Sequence, residues 1–154
     1  LVRRGFRESM GDAAAAGRTV LLSSHQIGGV ERVADTVLIL RRGRLVLNER
    51  LETLKSRVKE VLVTLDAVEP SPPELPRGAV LLGSRRLDRQ WELLVRDLSP
   101  EGQESLQAHA NHTDVVVRQP SLEEIFIVCM QTEGDAGWTF PEGTTVVPTV
   151  EVAR

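Results

Sequence analysis

A histidine closes the run Thr19-Val20-Leu21-Leu22-Ser23-Ser24-His25, and it is the first place in this sequence where chemistry could sit. The run is apolar at consecutive positions, the pattern of a strand covered on both faces inside a parallel sheet. Open α/β sheets bind ligands at the C-terminal ends of their strands, so an imidazole there could donate to an anionic group. Taken alone, His25 also suits the ordinary uses of histidine as a helix cap or a turn residue. Ser23 and Ser24 could line the same strand end or simply make local hydrogen bonds. His109 and His112 have the i, i+3 spacing of a metal pair. No His-Glu-x-x-His arrangement surrounds them, and the single cysteine, Cys129, is distant in sequence, which argues against zinc. Cys129 falls on an apolar stripe and reads as a packed thiol. Glu123 and Glu124 follow Ser121 in a capping box, so the helix start accounts for them. Asp35 reads as a cap or turn residue, and Arg41, Arg42 and Arg44 as a solvated hairpin.

The elements that must position these residues follow from periodicity. Residues 1–16 read as a helix ended by Gly17. After His25 a short helix is expected over 27–34, its first turn loosened by Gly28-Gly29. Thr36–Leu40 reads as another strand of the buried type, turning at Arg41-Arg42-Gly43-Arg44 into a return strand from Leu45. Residues 49–57 form a short amphipathic helix. A second unit starts near residue 58 with a strand over 61–65. The prolines at 70, 72, 73 and 76 keep the next connection out of a central strand. Strands are expected at 79–82, at 90–96 and at 114–118, with a helix between the last two. That helix opens at Ser99-Pro100, with serine as cap and proline at the first helical position. A final helix runs from Ser121, with Leu122, Ile125, Phe126, Cys129 and Met130 on one face. Trp91 and Phe126 read as core.

Composition bounds the class. Hydrophobic residues make up 41% and charged residues 27%, as in a folded globular chain and not a disordered one. The longest apolar runs are far short of the roughly 20 residues of a membrane-spanning helix. A lone cysteine suits a reducing compartment. Residues 1–60 carry 12 Lys/Arg against 7 Asp/Glu, whereas 61–154 carry 7 against 15. Such a shift marks two units with different surfaces. The basic half has no interleaved aromatics, which speaks against nucleic acid as a partner.

Residues 17–27, continued by Val30-Glu31-Arg32-Val33-Ala34-Asp35-Thr36-Val37-Leu38-Ile39-Leu40 and Gly43-Arg44-Leu45, resemble the end of the ATPase domain of ABC transporters. In that family a strand ends in serines and one switch histidine, and a helix, an Asp and a strand ending in a Gly-Arg hairpin follow. Pro120-Ser121-Leu122-Glu123-Glu124-Ile125-Phe126 is similar to the C-terminal extension of the subunits that serve ABC-2-type exporters. The resemblance implies an α/β fold: the C-terminal part of a P-loop NTPase parallel-sheet core over 1–57, then a small α+β accessory module over 58–131. Residues 132–154 are expected to be a weakly ordered tail. It further implies that His25 contacts the γ-phosphate, with Ser24 as a weaker nucleotide contact. The intact parent would use ATP and Mg²⁺ and pair as a homodimer of ATP-binding subunits. It would drive export through a transmembrane partner from the cytoplasmic face of the membrane. The sequence departs from the family in lacking a Gly-x-x-x-x-Gly-Lys-Ser/Thr phosphate loop, a Leu-Ser-Gly-Gly-Gln signature and an Asp-Glu strand end. The chain is therefore expected to be a piece of such a subunit, beginning just past the D-loop and binding no nucleotide alone. The competing expectation is a stand-alone, non-enzymatic binding or regulatory module.

Overall fold

The computed structural model describes residues 12–13, 15–24, 26–109, 111–130 and 138–139. Of the N-terminal helix expected over 1–16, Asp12, Ala13, Ala15 and Ala16 are described; the first three are helical and Ala16 lies in a turn. The described chain is mixed α/β, and every strand pairing in it is antiparallel. Its elements are α1 (Ile27–Val30), β1 (Thr36–Arg41), β2 (Arg44–Arg50), α2 (Leu51–Arg57), β3 (Val58–Leu65), β4 (Val80–Leu87), β5 (Gln90–Arg96), α3 (Pro100–Gln107), β6 (His112–Arg118), α4 (Leu122–Met130) and β7 (Trp138–Thr139).

Two expectations from the first unit are corrected. Thr19–Ser24 forms no strand, and Val20 and Leu21 are 42% and 86% exposed. A buried strand needs neighbours on both edges, and among the described residues none lies beside this segment. β1 pairs with β2 alone, and its burial alternates, so only one of its faces is covered. Val37 and Ile39 are buried, whereas Leu38 and Leu40 point out, as period-two geometry requires. The turn itself is as expected. Arg42 (φ 50°) and Gly43 (φ 76°) both take positive φ, the requirement of a two-residue hairpin loop whose twist suits its strands.

Residues 58–130 fold as the β-β-β-α-β-α order anticipated, with strand order β6-β3-β5-β4-β7. Pleating sorts the strand residues onto two faces. Val61, Val63, Leu65, Trp91, Leu93 and Val95 pack beneath Leu106 of α3. Ser99 caps that helix by accepting the Gly102 N–H at 3.0 Å. The other face carries Val58, Leu82 and Leu94, which join Val37, Ile39 and Leu47 of the hairpin, Leu51 and Leu54 of α2, and Leu122, Ile125, Val128 and Cys129 of α4. Packing is thus continuous across residue 58, where α2 passes directly into β3. On α4, Val128 takes the buried place expected for Met130, which is 37% exposed. Within the expected tail, Thr139 and Trp138 pair with Ser84 and Arg85 at the β4 edge. No helix among the described residues is long and apolar enough to cross a membrane.

Candidate functional site

His25, the residue that sequence reasoning singles out, lies outside the described residues. Its neighbour Ser24 is exposed and accepts the Gln26 N–H on Oγ at 2.9 Å. That bond is a local hydrogen bond of the serine-turn kind, made at no strand end, and it orients the chain entering α1. α1 is only four residues long, shorter than the expected 27–34, and a side chain added at Gly28 or Gly29 would meet open space.

Glu31 anchors this segment to the rest of the molecule. Its carboxylate takes the Lys55 ammonium at 2.6 Å and the Leu122 N–H at 3.4 Å. One side chain therefore ties the end of α1 to α2 and to the start of α4. In the sequence Glu31 stands out only as part of the run over 17–45, because its partners stand 24 and 91 residues away. The helix-start pattern at Ser121 was the available signal, since the first N–H groups of a helix need acceptors.

The capping box forms as expected. Glu124 N–H donates to Ser121 Oγ at 3.2 Å, while the Glu124 carboxylate accepts the Ser121 N–H at 2.7 Å. Arg118 adds a contact at 2.6 Å to Glu124 and one at 2.5 Å to the buried Glu60. The Arg118 guanidinium, aided by the Ser121 donors, holds the Glu124 carboxyl down to about 2. Burial pushes the Glu60 carboxyl up, against the pull of Arg118. The two carboxylates therefore act oppositely on acidification. The Glu124 contribution is present above its unfolded value of about 4.3 and is lost as pH falls toward 2. Glu60 favours the folded state most when protonated, so its contribution fades as pH rises through its raised value. In Glu124→Gln the melting temperature should accordingly fall less between pH 5 and pH 2 than in the parent chain, a comparison that calorimetry makes directly.

The Arg41 guanidinium donates to the Cys129 carbonyl at 3.2 Å, so it braces the hairpin against α4 and is not simply solvated. Arg42 and Arg44 are exposed. Cys129 is buried, and burial pushes its thiol up to about 11. Trp91 is buried, its indole N–H meeting no acceptor among the described residues. His109 and His112 stack with ring centroids 4.5 Å apart, and His112 Nδ1 donates to the Leu106 carbonyl at 2.6 Å. They border an open cleft of about 300 Å³, lined also by Leu65, Glu69, Pro73 and Glu74. No group of three or more metal-ligating side chains occurs among the described residues. Comparison with known protein families, with curated proteins and with solved structures found no match.

Proposed function

We propose that this chain forms the C-terminal part of the ATP-binding subunit of an ABC transporter, of the class that powers export through a membrane partner. The observation that carries this reading is the ungapped run over residues 17–45, in which Ser23-Ser24-His25 precedes a helix, Asp35 and a Gly-Arg hairpin. The hairpin and the helix after the histidine lie in the expected order. Leu38, Leu40 and Leu45, with Val20 and Leu21, remain exposed, and they are the side chains that a flanking parallel sheet would cover. In this reading the parallel sheet of a P-loop core comes from residues outside this chain's own pairings. The subunit's phosphate loop holds ATP and Mg²⁺, and His25 donates to the γ-phosphate.

The chemistry asked of His25 is electrostatic. A donor aimed at phosphoryl oxygens stabilises charge that develops during transfer, and it works without changing how the rest of the nucleotide is held. In a subunit joining this chain to a phosphate loop and signature, His25→Ala is expected to lower ATP turnover by at least about a hundredfold. Nucleotide affinity should stay within a few fold. Unchanged turnover in a coupled-enzyme assay would remove His25 from the mechanism. Saturable ATP binding by this chain alone in calorimetry would contradict the proposed division of labour.

A further inference from the structure

The five-stranded sheet ends in β6, whose outer edge meets no further strand among the described residues. Such an edge presents a row of open N–H and C=O groups to any strand of matching phase. β6 reads His112-Thr113-Asp114-Val115-Val116-Val117-Arg118, with no lysine, proline or glycine; its one irregularity lies near Thr113, and its pairing with β3 is regular over Asp114–Arg118. In an antiparallel ladder only alternate residues point their backbone groups outward. A second copy can therefore join only in registers that oppose residues of the same phase.

Three central registers satisfy that condition. Centring on Val115 sets Asp114 against Val116 and His112 against Arg118 of the second copy. Centring on Val117 sets Val116 against Arg118. Centring on Val116 sets Val116 against itself, Val115 against Val117 twice, and Asp114 against Arg118 twice. Only the last matches apolar with apolar and acid with base throughout. The side chains are available: Val116 is 45% exposed, Asp114 is exposed, and the Arg118 side chain is 46% exposed while it holds Glu60 and Glu124.

We propose that β6 pairs with β6 of a second copy of this chain about a two-fold axis at Val116, joining two sheets into one continuous antiparallel sheet. The contact uses neither nucleotide nor His25, so it stands independently of the proposed transporter role.

Sedimentation equilibrium of the full chain over a concentration series tests it. A monomer–dimer equilibrium is expected, and Asp114→Lys should weaken it by about tenfold, because two opposite-charge pairs become like-charge pairs. Register is read separately with a short bifunctional thiol crosslinker, since Cys129 is buried. Val116→Cys should be captured as a covalent dimer and Asp114→Cys should not. A chain monomeric throughout the series, a dimer undiminished by Asp114→Lys, or equal capture of the two cysteine variants would overturn the proposal.

Discussion

Replacing Ile125 with alanine is expected to lower the unfolding free energy by about 2–5 kcal/mol, the usual cost of truncating a fully buried aliphatic side chain. Ile125 has no exposed surface, and it sits in the cluster where the hairpin, α2, the sheet and α4 meet. Truncation there loses transfer free energy and leaves a cavity that four separate elements would have to close. Small domains are stable by only about 5–15 kcal/mol, so the loss is a large share of the total. Urea titration followed by circular dichroism should show the midpoint fall with little change in slope. Ile127 is two residues on and 44% exposed, so Ile127→Ala should change stability by no more than about 0.5 kcal/mol. Equal effects at the two positions would mean that α4 does not dock as described.

The second large effect is expected at Arg96. Glu49 lies opposite Val37 on the covered face of the hairpin, and its side chain is 7% exposed. The Arg96 guanidinium pairs with it from the sheet below, and that side chain is 10% exposed. Removing one member of a buried ion pair strands the other charge, which typically costs about 3–5 kcal/mol. Arg57 reaches Glu49 at 3.8 Å and offsets part of that loss, so Arg96→Ala should fall near the lower end. The double change Arg96→Met with Glu49→Leu removes both charges and refills the space. It should restore stability to near or above that of the parent chain. A double variant no more stable than Arg96→Ala would show that the pair does more than neutralise itself.

Much of the second unit was legible because its signals are local. The alternation over 90–96 marks β5 to the residue, and serine before proline marks the start of α3. Ser121 and Glu124 are three residues apart, and their capping box forms as the spacing indicates. What escaped depends on partners distant in the chain. Leu38 and Leu40 look like buried-strand residues, but whether a face is covered depends on what lies over it, and β1 has one covered face. Consecutive aliphatics at 20–22 carry the same ambiguity, since an apolar run shows affinity for cover and not its presence. Glu49 falls at the start of the helix expected over 49–57, Glu60 just before the strand expected over 61–65, and Arg96 at the end of the strand over 90–96, so none of the three is marked as buried by its local pattern. Register and the hairpin's position bury them, through contacts that no short window contains. Of the candidate site, a local hydrogen bond at Ser24 was legible, and Glu31's bracing role was not.

Cys129 carries one more consequence. Burial pushes the Cys129 thiol up to about 11 and shuts it inside the α4 packing, so it stays protonated at neutral pH. The thiolate is the reactive form, so the folded chain should resist alkylating reagents. Reaction must then wait for α4 to lift from the sheet or for the whole chain to unfold. The labelling rate becomes a clock for that opening, and its dependence on urea tells local release of one helix from global unfolding.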